Sequence, residues 1–125
     1  MKRIINTDAA PKAVGPYSQA IEINGTLYIS GQLPVDPSTG AFVNGGIKEQ
    51  TRQALENIFG ILAAAGYSPA DVVKSTVLLA DIGDFAAMNE VYSEFYRTDM
   101  PARVAYQVAA LPMGALVEIE TIAAK

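Results

Sequence analysis

The spacing of apolar residues changes along the chain, and each change marks an element. From Ile47 to Ala65, the residues Ile47, Thr51, Ala54, Leu55, Ile58, Ile61, Leu62 and Ala65 recur every three or four positions, with charge opposite. That is the 3.6-residue period of an amphipathic helix, and Gly66 suits the position just past its end. A second stripe, Phe85, Met88, Val91, Tyr92 and Phe95, predicts another helix, with Asp84 placed to cap it. Ser18–Ile23 and Thr26–Ser30 flank Asn24-Gly25, a strong hairpin signal that suits a type I′ turn. Arg3–Asn6 reads as a further strand. Val72–Ala80 is apolar almost throughout, the pattern of a strand buried on both faces. Ser68-Pro69-Ala70-Asp71 before it has the form of a capped helical turn. Ala102–Ala109 and Ala115–Ala123 are two more strands, joined by a turn around Leu111-Pro112-Met113-Gly114. Asp8 to Gly15 and Gly31 to Gly46 are punctuated by Pro and Gly and read as loops.

The order is therefore three strands, helix, strand, helix, two strands. It predicts an α+β fold in which two helices pack on one face of a mixed β-sheet. The 125 residues suit a single domain, 1–125. Half the residues are hydrophobic, a little rich for a small monomer, which points to buried subunit contacts.

Composition narrows the chemistry. The net charge is −4 and Lys and Arg are not clustered, so the chain lacks the electrostatic footprint of a nucleic-acid binder. There is no Cys, hence no disulfide, thiol nucleophile or thiolate metal site, and no His, the commonest general base and metal ligand. No acidic cluster has ligand spacing, so no metal is expected. Gly45-Gly46 before the first helix lacks the Lys-Ser or Lys-Thr sequel of a phosphate loop. No other cofactor motif is present. Lys2 and Arg3 are not followed by an apolar stretch, and no run is long enough to cross a membrane. The expectation is a cytoplasmic protein with no membrane partner.

Chemistry must then rest on Arg, acids, Tyr, Ser and backbone groups. Arg103 opens an otherwise uncharged strand. Its planar fork matches a carboxylate and cannot act as a base; the plain alternative is a surface ion pair. Glu118 and Glu120 sit two apart in an apolar strand, so they share a face at roughly 7 Å. Carboxylates there are solvated, paired or lining a cavity, and a nearby Arg can partner either of them or a ligand. Tyr17 follows Gly15-Pro16 in a loop, where a ring can edge a cleft or plug the core. Ser30 and Gly31 are read at a strand end, where they bind a ligand or merely cap. Asn89 lies beside the stripe of the second helix, as a core-edge hydrogen bonder or a cleft residue.

Four stretches carry a resemblance: Gly15-Pro16-Tyr17-Ser18-Gln19-Ala20; Ser30-Gly31-Gln32-Leu33-Pro34; Asn89-Glu90-Val91-Tyr92; and Pro101, Arg103, Val108, Leu111, Pro112 with Val117-Glu118-Ile119-Glu120 and Ile122-Ala123. In this order and spacing they resemble the RidA (YjgF/YER057c/UK114) family over essentially the whole chain. The resemblance implies the chorismate-mutase-like α+β fold and a homotrimer with sites in clefts between subunits. It implies an enamine/imine deaminase that hydrolyses 2-aminoacrylate-type imines, formed by pyridoxal-phosphate enzymes, to 2-ketoacids and ammonia. By resemblance Arg103 binds the substrate carboxylate, Glu118 activates water, and Tyr17, Ser30, Gly31 and Asn89 line the cleft, while Glu120 stays structural. One place departs from many relatives, which carry Cys two residues after the Arg where this chain has Ala105. Only backbone groups at Ala105 remain to meet a substrate. Two other functions compete with the deaminase. One is a non-catalytic module that binds a small carboxylate such as a 2-ketoacid; the other is the ribonuclease or translation-inhibitor role attached to some relatives, which the acidic balance disfavours.

Overall fold

A computed structural model describes residues 1–125. Its strands are β1 (Arg3–Ile5), β2 (Ala20–Ile23), β3 (Thr26–Gln32), β4 (Val72–Leu79), β5 (Ala102–Gln107) and β6 (Val117–Ala124). The helices are α1 (Ile47–Ala65) and α2 (Phe85–Phe95), and single 3₁₀ turns cover Pro69–Asp71, Ile82–Asp84 and Pro112–Gly114. The six strands form one sheet in the order β1-β2-β3-β6-β4-β5. Only β4 and β5 run parallel, as the crossover through α2 requires. The C-terminal strand β6 is central, antiparallel to β3 on one side and β4 on the other.

One face of the sheet carries the helices. Val77, Leu79, Val117, Ile119, Leu27 and Ile29 meet Leu55, Ile58, Ile61 and Leu62 of α1 and Met88 of α2 in one buried cluster. Phe59 of α1 meets Phe95 and Tyr96 edge-on, with ring centroids 5.2 and 5.6 Å apart. The other face has no layer over it, and Ile4, Tyr28, Val104 and Tyr106 are exposed there. The alternation of core and open positions along β6 and β4 is what a period of two gives when only one face is packed.

Several expectations hold in detail. The first helix spans Ile47–Ala65 and closes on a left-handed Gly66 (φ 83°). Asn24 and Gly25 both have positive φ, 51° and 76°, as a type I′ turn demands. Others are corrected. Within one chain β4 is buried on one face only: Val73 and Lys74 are exposed, and Thr76 and Leu78 are half-buried. Asp84 makes no capping hydrogen bond; Asp81, three residues earlier, accepts from Gly83 N at 2.8 Å instead. The turn expected between the last two strands is present at Pro112–Gly114, and β4 lies between the strands it joins. β3 runs on past Ser30 to Gln32, and β5 stops at Gln107 rather than Ala109.

Candidate functional site

The sheet separates the predicted site residues into two groups. Cross-strand partners share a face. Ser75 of β4 is opposite both Arg103 and Thr121, and it is fully buried, so this row faces the helices. Leu78, three residues on, is opposite both Tyr106 and Glu118, so that row faces away from them. Arg103 and Glu118 therefore project from opposite faces of the same sheet. The expectation that a nearby Arg partners Glu118 or Glu120 fails within one chain.

Arg103 leans on α2. Its Nη1 donates to Asn89 Oδ1 at 2.7 Å, and the guanidinium carbon lies 4.8 Å from the Tyr92 ring centroid and 5.4 Å from that of Phe85. This clamp combines a hydrogen bond with stacking on aromatic faces, which a planar guanidinium does well. It fixes the fork while leaving most of its five N–H donors free for a ligand. Asn89 Nδ2 points no hydrogen bond into the chain either, so the pair presents donors only. The Ala105 methyl lies on the same face two residues on, opposite Val77, and packs against the core. The sequence gives Phe85 only a place in the apolar stripe of α2, yet its ring is also one of the two that meet the Arg103 guanidinium.

The second group lies on the far side of the sheet. β3 and β6 lose register between Ile29 and Gln32, where three steps on β3 match two on β6. The extra residue makes a β-bulge at Ser30-Gly31, a device that re-aims side chains and often borders active sites. Gln32 Nε2 fastens it to Ser30 O at 3.0 Å, and Ser30 Oγ donates to Ser18 O at 2.6 Å. The Ser30 hydroxyl proton is thus committed to the backbone, and only its lone pairs remain for a ligand. Gly31 lies directly against Glu118: a Cβ on Gly31 would sit 2.7 Å from Glu118 Oε2. No side chain fits there while the carboxylate keeps its place.

Glu118 is half-buried and accepts no hydrogen bond within the chain. Burial, and then the neighbouring Glu120 charge, push its pKa above the ordinary value of 4.5. A half-buried carboxylate without a partner is costly, which makes Glu118 a candidate functional group. Two open clefts are lined by its neighbours, one by Glu120 and the other by Gly31. One, about 460 Å³, is lined by Tyr17, Ser30, Tyr28 and Glu120 among others. The other, about 690 Å³, is lined by Tyr17, Gly31, Val14, Leu33 and Met113 among others. Tyr17 is half-exposed and borders both.

Buried amides hold the loops that wall these clefts, and sequence reading gave them no role. Gln19 binds Thr7 N and the carbonyls of Thr7, Ala10 and Pro11. Asn57 of α1 donates to Leu33 O and Val35 O at 3.2 and 2.9 Å. Gln50 accepts from Leu116 N at 2.9 Å. A signal existed: Gln50 and Asn57 lie seven apart on α1, within the arc of its buried stripe. No three or more Asp or Glu side chains are grouped as cation ligands.

The family model described as Endoribonuclease L-PSP matches residues 7–125. The 2-iminobutanoate/2-iminopropanoate deaminase of Capra hircus is 58% identical over 123 residues, 98% of this chain and 90% of the relative. The crystal structure of RidA from the Antarctic bacterium Psychrobacter sp. PAMC 21119 is 51% identical, with a TM-score of 0.95 over 98% of this chain and 99% of that one. E. coli TdcF, solved with bound serine, is 42% identical, with a TM-score of 0.94 over 98% of each chain. With the family model and a close relative each spanning nearly all of it, the chain belongs to the RidA family, whose sequence model bears the description Endoribonuclease L-PSP.

Proposed function

We propose that this protein is an enamine/imine deaminase that hydrolyses 2-aminoacrylate-type imines to 2-ketoacids and ammonia, at sites shared between subunits of a homotrimer. The observation that carries this reading is Glu118, a half-buried carboxylate with raised pKa, no partner in its own chain and a glycine notch against it. The deaminase named among its relatives is 58% identical.

The chemistry needs little. The C2 carbon of a protonated imine is already electrophilic, so positioning, carboxylate anchoring and proton handling suffice. Arg103 of one copy grips the substrate carboxylate with the donors that Asn89 leaves free. Glu118 of a neighbouring copy takes a proton from water as its oxygen bonds to C2. The carboxyl then returns that proton to the nitrogen; as the C–N bond breaks, the carboxylate takes the proton of the new hydroxyl, the carbonyl forms, and the departing ammonia carries that proton away as ammonium. One water is consumed and one ammonia released, with no change of oxidation state. Tyr17 and the Ser30-Gly31 bulge wall the site, and only the backbone of Ala105 is available beside Arg103.

The test couples the protein to an enzyme that generates 2-aminoacrylate and follows ketoacid release. The parent accelerates release over the generating enzyme alone. Arg103→Lys keeps the charge but loses the two-point grip, a loss of about 1.5–3 kcal/mol or roughly ten- to a hundredfold in rate. A second reading, a small-carboxylate binding module, has TdcF with its bound serine in its favour. It gives ketoacid binding with no acceleration, and that result would displace the deaminase.

A further inference from the structure

Three non-glycine residues have left-handed backbone: Asn24, Asp99 and Met113. Asn and Asp reach that region readily because their short polar side chains bond locally, whereas Met has no such help. Met113 (φ 56°, ψ 25°) nevertheless holds it at the tip of the Pro112–Gly114 turn. The turn is not loose. Ala115 N donates to Pro112 O, Leu116 N to Gln50 Oε1, and Ala80 N to Leu116 O, at 2.9 to 3.1 Å. A fastened turn therefore keeps a strained residue whose side chain is 72% exposed. Strain of this kind persists where the surroundings impose it, and it collects at ligand clamps.

Its surroundings give the strain a use. Met113 lines the 690 Å³ cleft together with Tyr17, Val14, Leu33 and Gly31. Gly31 is the residue against which the Glu118 carboxylate rests. The cleft thus has on one side the glycine that touches the proposed water-activating group and on another an apolar wall, and it is far larger than a three- or four-carbon acid. A thioether is unbranched and polarizable, suited to covering ligands of varied shape.

Resting on the imine-hydrolysis reading above, we propose that Met113 is a specificity-determining residue that covers the substrate's own side chain and favours apolar 2-imino acids longer than the alanine-derived one. Each methylene buried against it adds roughly fourfold in selectivity.

The experiment generates imines in place from alanine and leucine with an L-amino-acid oxidase. It measures the ratio of kcat/KM for the leucine-derived over the alanine-derived imine in the parent, Met113→Gly and Met113→Leu. The ratio falls about tenfold in Met113→Gly and recovers in Met113→Leu. Met113→Gly also unfolds at or above the parent's temperature, since glycine relieves the positive φ. A ratio within twofold of the parent in both variants, whatever the absolute rates, overturns the proposal. Calorimetry with pyruvate and 4-methyl-2-oxopentanoate gives the same ratio as affinities. If no imine is turned over, the deaminase reading fails, and these affinities still decide the role of Met113.

Discussion

Glu118 meets no hydrogen-bond donor in its own chain, and both of its titration consequences have a definite sign. Burial raises its pKa, so the folded protein holds this proton more tightly than the unfolded chain does. Its contribution to stability is complete below the unfolded value and is lost as pH rises through the folded one. Glu118→Gln therefore raises the unfolding temperature at neutral pH. The gain shrinks toward zero as the pH falls below 4.5, where the parent carboxyl is protonated as well. Thermal melts of the two proteins across that range check this; a gain that persists in acid would mean that burial of charge is not its source. Activity runs the other way. A general base must be ionised, so kcat/KM of the parent falls on the acid side through a value above that of an ordinary Glu. Glu118→Gln lowers kcat on the order of 100-fold. A pH–rate profile with its acid limb at or below 4.5 would remove Glu118 from the proton-transfer step.

The elements built on a local period could be read from the sequence, and those set by non-local pairing could not. The α1 stripe and the Asn24-Gly25 turn are decided within a few residues, and both lie where the sequence puts them. An apolar run does not say which of its faces has a neighbour, so β4 reads as two-sided although one of its faces is open within the chain. The bulge at Ser30-Gly31 exists only in the pairing of β3 with β6, nearly ninety residues away in sequence, so by local signals alone the run ends at Ser30. Arg103 and Glu118 stood out as charges in apolar strands. Their placement on opposite faces depends on β4 lying between β5 and β6, which no local signal records. The loop walls depend on side chain to backbone bonds across similar distances. Asn57 shows their weight: it is 1% exposed and serves two carbonyls that line up with the cleft wall. Asn57→Leu keeps the branched skeleton but strands both acceptors, at about 1–3 kcal/mol for each group left unsatisfied. Chemical denaturation of that variant reads the loss. A midpoint equal to the parent's would show that the loop holds its shape without this tie.

The molecule as a whole leaves one sheet face bare. Ile4, Tyr28, Val104 and Tyr106 are between 43 and 61% exposed on it, with Leu78 and Ile122 half-buried among them. An apolar run in β4 that is read as two-sided suits a face that another copy covers, and so does a composition rich for a lone small domain. The two groups proposed to act on the substrate make the same demand. A sheet one residue thick stands between Arg103, on the helix side, and Glu118, on the bare side, so one chain cannot close both on a single substrate. In a cyclic trimer each interface can take Arg103 from one copy and Glu118 from the next. Mixing then has a numerical outcome. Arg103→Lys and Glu118→Gln are each weakly active alone. Unfolded together in equal amounts and refolded, they form trimers in which an interface is intact when a Glu118→Gln copy supplies the Arg and an Arg103→Lys copy supplies the Glu. Random assembly gives that arrangement at about a quarter of interfaces, so the mixture recovers about a quarter of parental activity. Light scattering on the same sample reads a trimer mass. A site contained in one chain, or a chain that stays monomeric, gives no recovery above the average of the two variants, and the shared-site mechanism falls with it.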